Sequence, residues 1–202
     1  MKKTLIAAAL ALPLLASAAT NLVVNGSFED NALANGSYSI FTGNQVNGWT
    51  ANDEIEIRNN VAGSAQDLLN YVELDANHNS SMFQVLNTTV GATYSLSFYY
   101  SNRDNTNVAT NGLSYDIGAG AVTLPGLAVN STGDNVWSLF STSFVASAAA
   151  TTLTFSSINV NDSLGSSLDN VNVTAAIPEP ETYALMLAGL AAIGFVARRR
   201  KA

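Results

Sequence analysis

The sequence predicts an all-β domain in which two antiparallel sheets pack as a sandwich. Between residues 21 and 176, no segment of ten or more residues has the 3.6-residue periodicity of an amphipathic helix. Short stretches instead alternate apolar and polar residues with a period of two, and clusters of asparagine, glycine and serine separate them. Many short strands with one apolar face each become stable when two sheets bury those faces against each other.

The clearest predicted strand covers residues 94–101. Its aromatic and leucine side chains at 94, 96, 98 and 100 share one face, because successive side chains of a strand point to opposite sides. The other predicted strands show the same alternation or a short apolar run between turn residues. They are residues 22–24, 55–58, 71–74, 82–86, 113–117, 140–144, 151–156 and 168–174.

The first 18 residues have the three parts of a secretory signal peptide. Two lysines give a positive start, residues 5–15 form an apolar run, and Ala16-Ser17-Ala18 matches a small-residue cleavage site. The apolar run is too short for a permanent membrane helix. Cleavage after residue 18 leaves a mature chain that begins near Thr20.

The tail at residues 177–202 consists of a motif, an apolar run and a basic end. Pro178, Glu179 and Pro180 precede an uncharged run at 182–197, and three arginines and a lysine follow it. As a helix this run would be about 24 Å long, slightly short of the roughly 30 Å hydrocarbon core. The tail is therefore predicted to hold the chain in the inner membrane, with its basic end in the cytoplasm.

This order of motif, helix and basic end resembles the PEP-CTERM sorting signal of Gram-negative bacteria. The resemblance implies that an exosortase, a membrane protease-transpeptidase, recognises Pro178-Glu179-Pro180 and processes the chain there. Ile177 departs from the family pattern, which often has valine at that position. The alternative is an ordinary C-terminal anchor in which Pro-Glu-Pro only begins the helix. Both interpretations export the domain. The sorting signal implies a transient anchor whose C-terminus is cytoplasmic, and a cell-surface or extracellular location after processing.

The segment between the two ends, residues 20–176, is strongly acidic and contains no cysteine. It has thirteen acidic residues and two arginines, Arg58 and Arg103, which gives a net charge of −11. Such a surface disfavours nucleic acid and anionic lipid, and suits neutral glycans, cations or proteins. Without disulfides, stability must come from the core or from a bound metal.

Several short motifs occur along this segment in a recognisable order. They are NLVVNGSFE at 21–29, GWT at 48–50, YVELD at 71–75, Gln84, VGATYSLSF at 90–98 and LDNVNV at 168–173. The set resembles the galactose-binding-like jelly rolls used as carbohydrate-binding modules, and their relatives in plant cell-wall and bacterial exported proteins. The resemblance implies a jelly-roll β-sandwich whose first and last strands are neighbours.

The same resemblance implies one structural calcium ion between those two strands. Many modules of this fold hold calcium with carboxylates and backbone carbonyls, and Glu29 and Asp169 occupy the matching motif positions. Calcium takes six to eight oxygen ligands, and an acidic, cysteine-free domain with one histidine offers mainly oxygen. The alternative is that Glu29 begins an exposed loop and Asp169 caps a turn.

Aromatic residues in loop-like surroundings are the candidates for contacting a ligand, together with a nearby arginine. These candidates are Tyr38, Phe41, Tyr99 and Arg103. Trp49 and Trp137 are predicted to be core residues instead. In relatives the GWT tryptophan closes one end of the core, and Trp137 leads into an aromatic strand.

No catalytic constellation stands out in the sequence. His78 has serine neighbours in an Asn/Ser-rich loop, but a Gly-x-Ser-x-Gly elbow is missing. Glu54 and Glu56 share a strand face with Arg58, which is more typical of a solvated face than of two carboxylates converging across a cleft. Phosphate loops, zinc spacings and nucleotide fingerprints are missing as well. We therefore expect no enzymatic activity.

Three hypotheses about function follow. The favoured one, which the resemblance implies, is an exported non-catalytic module that binds extracellular or matrix polysaccharide. The alternative is a structural surface or biofilm-matrix protein that acts through protein–protein assembly. The third is a hydrolase with an unrecognised site.

Overall fold

The computed structural model describes residues 20–158, 160–176 and 180–199. The predicted signal peptide, Pro178 and Glu179 lie outside these residues. Thr20–Ala176 forms one compact unit. Helix α1, Pro180–Arg199, belongs to the other unit and has Arg198 and Arg199 in its last turn, where they complement the helix dipole. The sequence predicts a membrane-spanning helix here; among the described residues, no helix has the length and apolar character needed to cross a membrane.

Within the described residues, the compact unit contains ten strands and one short 3-10 helix at Val108–Thr110. The strands are β1 (Ser37–Val46), β2 (Trp49–Asn59), β3 (Asn70–Glu73), β4 (Ser81–Asn87), β5 (Thr93–Ser101), β6 (Leu113–Asp116), β7 (Val122–Thr123), β8 (Ser138–Val145), β9 (Ala150–Ser157) and β10 (Ser167–Ala175). All their pairings are antiparallel. The all-β prediction is confirmed.

The strands form one hydrogen-bonded sheet that curls until its two halves face each other. Its order is β7-β6-β9-β4-β2-β3-β10-β5-β8, with β1 beside β2. Phe98 of β5 packs edge-on against Phe155 of β9, with 4.9 Å between ring centroids, so these halves form two layers. The predicted two-layer jelly roll is confirmed. The layers are continuous rather than separate, because β2 pairs with β4 at residues 50–51 and with β3 at residues 56–59.

The core lies between the two layers and uses alternate positions of the strands. Tyr94, Leu96, Phe98 and Tyr100 of β5 are all buried, as the period-two pattern predicts. Trp49 is buried too, as predicted, and its ring lies 5.8 Å from that of Phe28 and 6.1 Å from that of Phe155. Burying these aromatic surfaces is a main source of stability in a domain without disulfides.

Strand β1 differs from the prediction. Tyr38 and Phe41 were expected in loop-like surroundings, but both lie on this strand. Its residues pair with β2 from Ser37 opposite Asn59 to Thr42 opposite Glu54, and the register then shifts at Gly43. The side chains of β1 form only a weak apolar face. The segment is a strand because its backbone can pair with the free edge of β2.

The first and last segments of the unit are neighbours, as predicted. The Leu22 N–H donates to the Val173 carbonyl at 2.8 Å, and the Val171 N–H donates to the Gly26 carbonyl at 2.9 Å. Residue 26 must be glycine, because a Cβ there would lie 2.1 Å from the carbonyl oxygen of Val171. The NGSFE and LDNV motifs therefore mark the two backbones that meet at this contact.

Replacing Gly26 by alanine is expected to destabilise the domain by about 3 kcal/mol or more, because the new methyl group overlaps a backbone oxygen that cannot rotate away. Gly126→Ala is the matched control, since no atom lies within 4 Å of its Cβ position. That control is expected to change stability by less than about 1 kcal/mol. Urea unfolding measures both, and equal stability of the two variants would contradict this account of the motif.

Candidate functional site

A network of charged side chains is buried on the outer face of β2 and β3, opposite the core. This ion network consists of Glu56, Arg58, Glu73 and Arg103. Arg58 forms ion pairs with both glutamates, and the Arg103 Nη1 lies 3.5 Å from the Glu73 Oε2. The side chains at 56 and 58 were expected on a solvated face, but Glu56 and Arg58 are only 6% and 3% exposed.

Two loops lie on this outer face and explain the burial: residues 61–69, here called the covering segment, and the loop that contains Gly165. The Tyr71 hydroxyl on the same outer face donates to the carbonyl of Val61, and the Gly165 N–H donates to Glu73 from a second loop. The alternating pattern of β2 shows which side chains point outward, but it does not show that loops cover that side. The ion network is therefore a cluster of buried charged side chains that is separate from the apolar core.

Burial sets the ionisation of this network. Loss of hydration raises the pKa of Glu73 to about 8, although the positive charges of Arg58 and Arg103 oppose the rise. For Arg58, burial alone would lower the pKa, but the charges of Glu73 and Glu56 outweigh it and raise the pKa above its ordinary value. Arg103 also donates to the Ser163 carbonyl at 3.0 Å. Both arginines of the domain are thus held by interactions within it.

The two predicted calcium ligands both bind the covering segment, and Glu29 also binds the start of β3. Asp169 Oδ2 accepts hydrogen bonds from the N–H groups of residues 66 and 67 at 2.8 and 2.9 Å. Glu29 Oε1 accepts from those of residues 69 and 70 at 2.8 and 2.6 Å. Burial nevertheless raises the pKa of Asp169 to about 7, with these backbone hydrogen bonds opposing the rise.

These contacts show how far the two carboxylates suit a calcium ion. Both oxygens of Asp169 and one of Glu29 already face N–H donors, whose positive ends oppose a cation. No group of three or more His, Cys, Asp or Glu side chains arranged for a metal occurs among the described residues. The arrangement fits backbone anchoring better than metal binding. The calcium ion stays a prediction, and a melting temperature unchanged by calcium or EDTA would remove it.

A pocket of about 460 Å³ opens beside Trp137, just before β8. This Trp137 pocket has an uncharged lining that combines an indole with amide, hydroxyl and aliphatic groups. The polar side chains are Asn102, Asn130, Ser131, Thr132 and Ser138, and the larger aliphatic ones are Leu127, Val129 and Val136. Such a mixture of an aromatic surface and neutral hydrogen-bonding groups is typical of sites for small uncharged ligands.

Trp137 itself is half-buried, and the prediction that it belongs to the core is wrong. The register of β5 and β8 gives the reason. Ser138 pairs with Tyr100, whose side chain points into the core, so the preceding residue points to the outer face. There the Trp137 Nε1 donates to the Ser64 carbonyl at 3.1 Å, and its ring meets the Tyr71 ring edge-on at 5.8 Å.

The sequence-predicted ligand residues do not line this pocket. Tyr38 is exposed on β1, while Phe41 packs against the core. Tyr99 is half-buried on β5, where it pairs with Asp169 and Leu139, and Arg103 belongs to the ion network. Ligand binding by these four residues stays a prediction. The pocket was missed because no sequence signal reveals which face the residue before β8 occupies.

The histidine considered for catalysis contacts a carboxylate. His78 Nε2 lies 2.6 Å from Asp53 Oδ2, and this hydrogen bond raises the pKa of the exposed imidazole. A second, hydrophilic pocket of about 380 Å³ lies next to Asp53. Of the two glutamates weighed for a glycosidase, Glu54 accepts a hydrogen bond from Asn77 at 2.6 Å, and Glu56 is buried with Arg58. The two therefore do not share a cleft with free carboxylates.

Comparison with known families identifies both parts of the chain. A family model described as a protein of unknown function (DUF642) matches residues 21–174. A model described as the PEP-CTERM protein-sorting motif matches residues 176–201, which confirms the predicted sorting motif. No curated protein matches the sequence.

Solved structures similar to this chain include carbohydrate-binding modules. A CBM35 from Paenibacillus barcinonensis has 20% identity and a TM-score of 0.43 over 70% of this chain and 100% of its own. TmCBM61, solved with beta-1,4-galactotriose, has 14% identity and a TM-score of 0.45 over 78% and 99%. The enzymatically active domain of tailspike protein 4 from bacteriophage CBA120 has 16% identity and a TM-score of 0.47 over 77% of this chain. The match spans 21% of the tailspike chain.

The raised pKa of Glu73 predicts how stability depends on pH. Between about pH 4.5 and 8 the folded state binds a proton at Glu73 that the unfolded chain releases, so the free energy of unfolding falls as pH rises through this range. The slope contributed is at most about 1.4 kcal/mol per pH unit. Glu73→Gln should make the dependence measured by urea unfolding shallower.

Asp134→Asn is the control for this measurement. The Ser64 N–H lowers the pKa of Asp134, so that side chain is ionised throughout the range in both folded and unfolded chains. Its substitution is expected to leave the slope unchanged. The same slope in wild type and Glu73→Gln would show that Glu73 does not take up the proton.

Proposed function

The chain belongs to the DUF642 family and carries a PEP-CTERM protein-sorting motif, and from that premise we propose that its β-domain is an exported, non-catalytic module that binds neutral polysaccharide. The observation that carries the proposal is the Trp137 pocket with its uncharged lining. Its partners are an exosortase, acting at Pro178-Glu179-Pro180, and a polysaccharide of the cell surface or surrounding matrix.

The chemistry of the pocket suits a sugar ring. One face of a pyranose exposes C–H groups that pack on an indole, while its hydroxyls need neutral donors and acceptors. Trp137 supplies the aromatic surface, and amide and hydroxyl side chains surround it. Because Nε1 is bonded to the Ser64 carbonyl and the ring rests against Tyr71, the indole is already ordered before binding. An ordered aromatic loses little conformational entropy when a ligand docks.

Charge supports a neutral rather than an anionic polymer. The domain has no lysine, and its two arginines both lie in the ion network with Glu73. With a net charge of −11, it repels a chain of uronic acids or sulfate esters. Binding of a neutral polysaccharide should also depend only weakly on salt, since no ion pairs form.

Export is the second half of the proposal. The sorting motif at residues 176–201 supports passage across the inner membrane, with a transient anchor whose C-terminus is cytoplasmic. Removal of residues 1–18 by signal peptidase and processing at the Pro-Glu-Pro motif would release the domain at the surface. Intact mass of the surface form measures both cleavages.

Replacing Trp137 by alanine is expected to weaken polysaccharide binding at least about tenfold, because the aromatic contact surface is lost. Affinity electrophoresis against neutral and anionic polysaccharides measures the effect. Tyr38→Ala is the matched control, since it removes an aromatic that is 55% exposed and lies outside the pocket. Unchanged binding by Trp137→Ala, or equal binding of anionic polymers, would reject this site.

A further inference from the structure

Strand β8 ends the curled sheet with a long free edge. It pairs with β5 on one side, and among the described residues no strand pairs with its other side. The opposite end of the sheet is β7, which has only two residues, whereas β8 has eight. A free edge of this length presents a row of N–H and C=O groups that another strand can bind.

Strand β1 also pairs on one side only, but its backbone groups are partly used by nearby side chains. The Gln45 amide oxygen accepts from the Thr42 N–H at 2.8 Å, and Asn31 donates to the Gln45 carbonyl at 3.2 Å. The register shift at Gly43 further interrupts this edge. The β8 ladder, in contrast, runs from residue 138 to 145 without a shift.

The devices that usually protect an edge strand are missing from β8. Its sequence, SLFSTSFV, has no charge and no proline, and the neighbouring β5, TYSLSFYYS, has none either. This is unusual in a domain with a net charge of −11. The outward side chains include Leu139 and Val145, which are 57% and 62% exposed.

The inner side of β8 is also incompletely covered. Phe140 stacks on Phe98 at 5.1 Å, and Phe144 stacks on Tyr94 at 5.5 Å, yet both phenylalanines are only partly buried. They line the open end of the two layers. A further strand beside β8 would bury their remaining surface, which is favourable.

We propose that β8 pairs antiparallel with β8 of a second copy of this chain, across a two-fold axis at Thr142. In this pairing the inner side chains of one copy lie beside inner side chains of the other, and outer ones beside outer ones. Each odd-numbered residue must therefore lie opposite an odd-numbered residue, and each even-numbered residue opposite an even-numbered one. With the axis at Thr142, Leu139 lies opposite Val145 and Phe140 opposite Phe144. Each apolar side chain then meets an apolar partner, and serines 141 and 143 meet each other.

Charge favours a second copy in this register. The nearest acidic residue before β8 is Asp134, which lies opposite residue 150 of the other copy. Residues 146–150, ASAAA, carry no charge, so no like charges face each other along the paired strands. Pairing of the same strand with itself also closes the assembly at two copies. The contact is short, about 27 Å at 3.4 Å per residue, so the dimer should be reversible.

Sedimentation velocity of the exported protein in detergent tests the proposal. Leu139→Lys places a charge on the edge strand and is expected to weaken dimerisation at least about tenfold. Val85→Lys is the matched control: Val85 is 56% exposed, but β4 lies between β9 and β2 in the sheet order rather than at its end, so the dimer should persist. A monomeric wild type, or equal dimerisation of the two variants, would overturn the proposal.

Disulfide trapping tests the register, since the chain has no cysteine of its own. Ser141→Cys combined with Ser143→Cys is expected to give a covalent dimer under mild oxidation, because each thiol faces its partner across the axis. Thr152→Cys with Thr154→Cys has the same spacing on β9, an interior strand, and should remain monomeric. Equal crosslinking of the two double variants would contradict β8 pairing.

Discussion

The attachment of the covering segment to the outer face of the sheet determines much of the rest of this structure. Asp169 and Glu29 accept hydrogen bonds from the backbone N–H groups of four of the five residues at 66–70. Buried carboxylates without such donors would be costly, and a loop without such acceptors would leave its N–H groups unpaired. The hydrogen bonds from the loop N–H groups to these carboxylates satisfy both requirements. The same segment then supplies the Ser64 carbonyl that orients Trp137.

The ion network lies on the same outer face and is held by a second loop, through Gly165 and Ser163. Exposed to water, the pairing of Arg58 with two glutamates would contribute little to stability. In the folded domain the charges of Arg58 and Glu56 are desolvated, and removing either would leave the other buried and uncompensated. A buried ion network adds little to the free energy of unfolding. It forms only when the loops over β2 and β3 adopt one particular position. The network therefore helps to specify where the loop that contains Gly165 lies.

The sequence predicts the core of this domain well because the period-two pattern reports side-chain direction directly. Tyr94, Leu96 and Phe98 needed nothing more than alternation. The pattern does not show whether loops cover the outer face of a sheet. Glu56 and Arg58 were therefore expected to be exposed to solvent. Trp137 required the register between β5 and β8, which is set by long-range pairing. Strand β1 was missed for a related reason, since its partner rather than its own composition makes it a strand.

The resemblance to galactose-binding-like jelly rolls was most informative where two backbone segments approach closely. Gly26 is part of a motif because the carbonyl of Val171 leaves no space for a Cβ, which is a purely steric demand. The carboxylates at 29 and 169 sit at the same junction, and here they bind N–H groups. A motif position thus fixes the location of a side chain more firmly than it fixes the partner of that side chain.

The placement of the arginines has a consequence for survival outside the cell. Trypsin-like proteases cut after lysine or arginine in extended, accessible chain, and between Thr20 and Ala176 those residues occur only at positions 58 and 103. The first is 3% exposed within a central strand, and the second is half-buried with its guanidinium turned inward. Cleavage after Arg58 must wait for the sheet to open, and cleavage after Arg103 for its loop to detach from Glu73, so the folded domain is a poor substrate for trypsin-like proteases.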